Sequence, residues 1–313
     1  MKILVTGGAG FIGSHVCEAL LARGDSVICL DNFNDYYDPK VKEENIKECL
    51  KNSSFSLIRP DITDYGELAR IFDKNKIDKI IHLAARAGVR DSLTNPFIYE
   101  QVNVKGTLNL LELAKNHDVK KFVFGSSSSV YGLNKKVPFS EGDNVDDIIS
   151  IYGSTKRAAE LLCKNYNQLF GLNVCCLRFF TVYGPRGRPD MAVHKFTRLI
   201  NEGKEIPVFG DGHSKRDYTF VSDIVAGVLA ALDKELGFEI INLGDSNSIE
   251  LKYLISLIEE NLGKRAKIKN MEMQPGDVPI TFADISQAKR LLAYEPKVKI
   301  EEGIKRFVEW YRR

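Results

Sequence analysis

The sequence predicts an α/β fold: a doubly wound parallel sheet carrying a smaller α/β lobe toward the C-terminus. Three observations point there. The chain opens with a short apolar run, a glycine-rich turn and an apolar-periodic segment, which is the order strand, turn, helix. Apolar strand-length runs then alternate with helix-length periodic segments over the first 180 residues, the order expected of βαβ units. After 181 that rhythm breaks into a Gly- and Pro-rich stretch. At 313 residues the chain is long enough for about two domains of ordinary size.

The elements follow in order. Residues 2–6 (KILVT) suit a buried strand, and 11–23 suit a helix ending before Gly24. Residues 26–30 form a second strand that stops at Asp31, with further strands near 55–59, 79–83, 119–125 and 173–178. Helices are predicted near 64–75, 98–116 and 152–170. Gly184, Pro185, Gly187 and Pro189 mark a loop, followed by a helix at 190–202 that ends at Gly203. The segment 207–218 is rich in Gly, Asp and charge, and no strand is assigned to it. A helix at 222–235 and a strand at 239–242 return to the sheet, and 301–312 reads as an amphipathic helix. The division expected is 1–180 completed by 218–244 for the sheet domain, with 181–217 and 245–313 forming most of the second lobe.

Composition excludes several classes. Apolar residues are 44% and charged residues 27%, which suits a globular chain rather than a disordered one. With 44 basic and 42 acidic residues, the charge of +2 argues against a nucleic-acid partner. The run Lys264, Arg265, Lys267, Lys269 reads as a solvated turn or surface strand. No apolar stretch approaches the roughly 18 residues of a membrane span, so no membrane partner is expected. The N-terminus reads as a strand, not a signal peptide. Six cysteines without a CxxC pair sit mainly in apolar runs, which favours reduced, buried thiols and a cytoplasmic location. No metal is expected.

The turn Gly7-Gly8-Ala9-Gly10-Phe11-Ile12-Gly13 satisfies G-x-G-x-x-G from Gly8, Gly10 and Gly13. Glycines there allow a tight turn and close approach of the backbone to a pyrophosphate, which then faces the helix N-terminus. Placed between strand and helix, this is the mark of a Rossmann-type dinucleotide site. Asp31 lies 18 positions beyond Gly13, where a carboxylate accepts from the adenosine ribose and repels a 2′-phosphate. No Arg or Lys follows it immediately, so NAD is favoured over NADP. Asp61-Ile62 suits either an adenine contact or an ordinary strand end. The absence of a K-[ST] pair after the glycines removes the P-loop reading.

Tyr152 and Lys156 stand four apart, on one face of a helix. An ammonium near a phenol lowers its pKa and makes it a usable base, so Lys156 is expected to act on Tyr152 in this way. Upstream, Ser126 to Ser129 end a strand, where hydroxyls face the ligand crevice of a parallel sheet. Spacing alone does not choose among the four.

TGGAGFIG, SSSSVYG and YGSTK together resemble the extended short-chain dehydrogenases/reductases acting on nucleotide sugars. DNFNDYYD at 31–38, HLAARAGVRDS at 82–92, RFFTVYGPRGRPDMA at 178–192 and QPGDV at 274–278 are most similar to UDP-glucuronate 4-epimerases. The resemblance implies NAD, a UDP-sugar substrate, and a homodimer built from the helices near 98–116 and 152–170. It names Ser127, Tyr152 and Lys156 as the catalytic trio. Cofactor contacts are implied at Gly7, Gly10, Phe11, Ile12, Gly13, Asp31 and Asn32, then at Asp61, Ile62, Leu83, Ala84 and Ala85, besides Tyr152 and Lys156. Substrate contacts are implied at Arg90, Ser127, Ser128, Thr181 and Arg188. Phe209 is matched to the uracil side, Arg216 to the diphosphate, and Asp277 to the uridine ribose, with Gln274 close by.

The departures narrow the substrate. Galactose epimerases typically have Asn where Thr181 stands and Arg where Gln274 stands. The decarboxylases have Glu in place of Ser129, and the 4,6-dehydratases carry Asp-Glu in place of Ser127-Ser128. Arg186 occupies a position that is often Trp among glucuronate epimerases, beside the sugar loop. Thr281 is small where an aromatic narrows some galactose epimerase pockets. The implied reaction is oxidation at sugar C4, rotation of the keto sugar, and return of hydride to the other face, interconverting UDP-glucuronate and UDP-galacturonate. The alternatives are a UDP-glucose/UDP-galactose 4-epimerase accepting N-acetylated sugars, a UDP-glucuronate decarboxylase, and a non-catalytic NAD-binding protein.

Overall fold

A computed structural model describes residues 1–272 and 279–313. The first half runs β1 (Lys2–Thr6), α1 (Phe11–Ala22), β2 (Ser26–Leu30), α2 (Pro39–Asn45), β3 (Phe55–Ile58), α3 (Tyr65–Lys74) and β4 (Lys79–His82). It continues through α4 (Val89–Thr94), α5 (Pro96–Tyr99), a π-helical stretch (Glu100–Lys105), α6 (Gly106–Asn116), β5 (Lys121–Ser127), α7 (Ile151–Phe170) and β6 (Val174–Phe179). The predicted helix at 98–116 is thus three pieces. A 3.6-residue apolar period does not register a π turn, which here brings Asn103 to the backbone of Arg86 and to Thr155 Oγ1.

The second half runs β7 (Thr181–Tyr183), α8 (Ala192–Asn201), β8 (Glu205–Phe209), β9 (Lys215–Phe220), α9 (Val221–Asp233) and β10 (Phe238–Leu243). Then come β11 (Ser248–Glu250), α10 (Leu251–Leu262), β12 (Lys267–Met271), β13 (Ile280–Thr281), α11 (Ser286–Leu292) and α12 (Ile300–Tyr311). The segment 207–218, read from sequence without strands, supplies the end of β8 and the start of β9.

Seven parallel strands form the main sheet in the order β10-β6-β5-β4-β1-β2-β3. The strand at 238–243 does return to this sheet, beside β6. Both faces are covered, as a parallel sheet requires: Ile3 and Val5 pack into one apolar cluster and Leu4 into the other. The chain leaves β1 toward β2 and β3, then crosses to place β4 on the other side of β1. That reversal opens a crevice at the C-terminal ends of β1 and β4, where open α/β sheets bind ligands. The smaller sheets place β7, β11 and β13 around β9 and pair β12 with β8.

All six cysteines are buried and unpaired. No described helix is long and apolar enough to cross a membrane, and the described residues contain no cluster suited to a metal.

Candidate active site

A cleft of about 510 Å³ occupies the reversal point. Its floor is the glycine turn. Gly7 has φ +66°, and a Cβ there would lie 2.7 Å from the Ala84 nitrogen. A Cβ on Gly13 would lie 2.1 Å from the Gly7 carbonyl, so α1 could not close onto the turn. Helix α1 begins at Phe11 with no side-chain cap and no acidic residue in its first turn. Its first N–H groups and the positive end of its dipole are left for an anion. A cradle that any side chain would fill fits a dinucleotide pyrophosphate.

One side of the cleft is built at the ends of β2 and β3. Asp31 is 4% exposed; Oδ1 accepts from Phe33 N (3.0 Å) and Lys42 Nζ (3.0 Å), and Oδ2 from Ala9 N (3.3 Å). Asp61 accepts from Asn32 Nδ2 at 2.7 Å and from the Thr63 amide and hydroxyl. Burial pushes the Asp61 carboxyl up, but the bonds from Thr63 and Asn32 prevail and leave it below its ordinary value. Asn32, Ile62, Leu83, Ala84 and Ala85 line the same cleft, as do Gly10 and Ile12.

Opposite them stand the residues of chemical interest. Ser127 ends β5, and Tyr152 is in the first turn of α7, whose cap is Ser150 Oγ accepting from Gly153 N at 3.0 Å. Tyr152 hydrogen-bonds with Ser127, and the Tyr99 ring packs edge-on at 6.2 Å. Ser127 Oγ accepts from Ser129 N at 3.1 Å, which leaves its own proton to be donated. Among the serines, Ser126 Oγ is committed to Glu160 Oε1 at 2.6 Å.

The expected effect of Lys156 on Tyr152 is not what the structure shows. Burial raises the Tyr152 phenol above its ordinary value, and the groups opposing that rise are Ser127 and Arg188. Lys156 instead donates to the Gly125 carbonyl at 2.7 Å and lies 4.8 Å from the centre of the Phe124 ring. Burial brings its pKa down to about 8.

Ser128, Thr181 and Arg188 also line the cleft. Arg188 pairs with Asp190 (2.5 Å) and donates to Tyr36 Oη (3.4 Å). Arg90 and Phe209 lie outside the cleft wall but meet each other, guanidinium over ring at 4.3 Å. Arg216, on β9 opposite Ile249 and Thr281, also lies outside it and donates to the Lys215 carbonyl at 2.9 Å. Thr281 is not among the described residues that line this cleft. Gln274 and Asp277 fall outside the described residues. Arg186 has φ +64° and turns away from the sugar loop to α1, donating to Glu18 Oε1 at 2.6 Å. Sequence reasoning passed over Lys42, Tyr36, Tyr37 and Arg86, all in the cleft wall. The signal available was their place within or just after the DNFNDYYD and HLAARAG segments.

Residues 4–307 match the family described as GDP-mannose 4,6 dehydratase. The chain belongs to this family of extended short-chain dehydrogenases/reductases. Its members differ in chemistry, and Ser127-Ser128 stand where the resemblance to dehydratases would require Asp-Glu. A UDP-glucuronate 4-epimerase of Thermodesulfobacterium geofontis is 48% identical over 308 residues, covering 98% of this chain and 95% of that protein. The crystal structure of UDP-glucuronic acid 4-epimerase from Bacillus cereus, in complex with UDP-glucuronic acid and NAD, superposes with a TM-score of 0.94 at 39% identity. The match covers 100% of this chain and 99% of that one. UDP-glucose 4-epimerase from Thermotoga maritima, with UDP-glucose, gives 0.92 at 36%, with 100% and 99% covered. The nucleotide-sugar epimerase resemblance drawn from the motifs is thus borne out across the chain.

Proposed function

We propose that the protein is an NAD-dependent 4-epimerase interconverting UDP-glucuronate and UDP-galacturonate. The observation that carries this reading is the Ser127–Tyr152 contact, with Lys156 one helical turn on, in the same cleft as the glycine turn and Asp31. The likeness to epimerases of that substrate supports it. Bound NAD supplies the acceptor and donor of hydride at the sugar C4. The glycine turn and the α1 N-terminus hold its pyrophosphate, and Asp31 accepts from its ribose.

The rest is done by side chains. Ser127 takes its acceptor role from Ser129 N–H, so its hydroxyl proton points to an oxygen partner, Tyr152 or the sugar O4. Tyr152 removes the O4 proton and returns it on reduction. Arg188 and the Ser127 hydrogen bond favour the phenolate, while Lys156 holds the Gly125 carbonyl at the end of β5. Thr181 and Ser128 offer hydroxyls to the C5 carboxylate. Holding that group off the axis of the C4 carbonyl π system opposes loss of CO₂ from the keto acid. The nucleotide end falls to Arg90, Phe209, Arg216, Gln274 and Asp277. In this division 1–180 with 218–244 hold NAD, and 181–217 with 245–313 hold UDP. Buried thiols suit a reducing compartment, and we place the protein in the cytoplasm.

A substrate panel incubated without added cofactor tests the reading. UDP-glucuronate should be interconverted with UDP-galacturonate at the highest kcat/KM, with little UDP-pentose and no stoichiometric NADH. A dominant turnover of UDP-glucose or UDP-galactose, as the Thermotoga maritima likeness would suggest, would remove the uronate assignment and keep the 4-epimerase. Pentose as main product would replace both.

The homodimer is proposed on helices α5 to α7. Phe97 is 81% exposed, Leu169 72% and Phe170 51%, and Leu108 and Leu161 are also exposed. Apolar groups of this size gathered on neighbouring helices mark an interaction face. Phe97→Asp should convert dimer to monomer in light scattering with little loss of folding, because the side chain is already outside the core. A variant that remains dimeric argues for a different face.

A further inference from the structure

We propose that the buried pair Asp31–Lys42, rather than Asp31 alone, sets the choice between NAD and NADP, and that Lys42 is a latent site for a ribose 2′-phosphate. This rests on the dinucleotide reading above. A lone acidic residue at the end of β2 excludes NADP by repelling its phosphate. Here the acid is not alone. Helix α2 is tied beneath the glycine turn by Asn45 Nδ2 donating to the Ala9 carbonyl at 3.1 Å. That anchor brings Lys42 Nζ within 3.0 Å of Asp31 Oδ1, with the two side chains 7% and 4% exposed. The Tyr37 ring lies 5.5 Å from the ammonium, and Asp31, Lys42 and Tyr37 all line the cleft.

The two carboxylate oxygens are therefore unequal. Oδ1 is held by Phe33 N and Lys42, while among the described residues Oδ2 takes the longer bond from Ala9 N, 3.3 Å. Oδ2 is the atom with capacity left for a ribose hydroxyl, and Lys42 fixes its direction. The ammonium also offsets the charge that would repel a phosphate, strongly so at this distance in a buried site. If the carboxylate becomes a carboxamide, the buried cation loses its Asp31 counterion. A 2′-phosphate would supply one through a charge-assisted hydrogen bond. Switching cofactor ordinarily requires a cation to be introduced; in this protein it is already in place.

The test is the identity of the dinucleotide carried by purified protein, released by denaturation and quantified by mass spectrometry. The wild type should release NAD almost alone. Asp31→Asn should raise the NADP:NAD ratio at least about 100-fold, and Asp31→Asn with Lys42→Met should fall back at least tenfold from that. An unchanged ratio in Asp31→Asn, or equal ratios in the single and double variants, overturns the proposal. Wild-type protein that carries no dinucleotide overturns the functional reading instead. Lys42→Met decides the matter should Asp31→Asn fail to fold. Displacing its bound NAD should take at least tenfold more added NADP than in the wild type, because the Asp31 charge is then unopposed. An equal or smaller requirement overturns the proposal.

Discussion

Tyr152→Phe should lower turnover of UDP-glucuronate by at least about 10²-fold, in line with the contribution of a positioned acid–base group. The substitution keeps the ring and its edge-on packing against Tyr99, so the fold and UDP binding should be nearly unchanged. What it removes is the phenol hydroxyl in hydrogen-bond contact with Ser127. The loss should fall on kcat rather than KM, since the proton moves only as C4 is oxidised or reduced. Burial holds the Tyr152 phenol above its ordinary value, against Ser127 and Arg188. The wild-type rate should therefore rise with pH as the phenolate forms, and the residual Tyr152→Phe rate should lack that rise. Near-normal epimerisation by the variant would remove Tyr152 from the proton path.

The parts of this site that were legible in the sequence are those set by local geometry. Gly7 and Gly13 are dictated by a turn that no Cβ can enter, and Asp31 by its place at a strand end. Tyr152 and Lys156 follow from one turn of helix. The illegible parts depend on contacts between distant segments. Lys42 reaches Asp31 only because Asn45 docks α2 under the glycine turn, and the 39–45 segment has no apolar period to announce a helix. Strand β8 was hidden because its partner, β12, lies about sixty residues later, and the turn glycines between β8 and β9 dominate the local composition. Arg186 shows the reverse error. It lies beside the sugar loop in sequence, yet a left-handed backbone at 186 aims it at Glu18.

Glu160→Gln should destabilise the protein by about 3–5 kcal/mol, the cost of breaking a buried ion pair from one side. The Glu160 side chain is 0% exposed and that of Arg178 1%. Oε1 accepts from Arg178 Nε at 2.9 Å and Ser126 Oγ at 2.6 Å; Oε2 accepts from Arg178 Nη2 at 2.9 Å and Arg157 Nη1 at 3.1 Å. The amide keeps the shape but turns one acceptor into a donor facing a guanidinium, and leaves Arg178 buried without its counterion. Burial alone would raise the Glu160 pKa; the bonds and charge of Arg178, then Ser126 and Arg157, outweigh it and hold it below its ordinary value. A carboxyl depressed on folding stabilises fully above its unfolded pKa, near 4.3, and loses that contribution as pH falls through the folded value. Wild-type Tm should therefore fall in acid below about pH 4, and the variant should show a shallower fall from a lower start. Glu160→Leu with Arg178→Met should recover much of the loss, since apolar groups of similar volume remove both charges together. Because Glu160 ties α7 to the strands carrying Ser126 and Arg178, folded Glu160→Gln protein should also turn over more slowly through a displaced Tyr152–Ser127 contact. A Tm equal to wild type at neutral pH would mean that the pair is not what fixes α7 to the sheet.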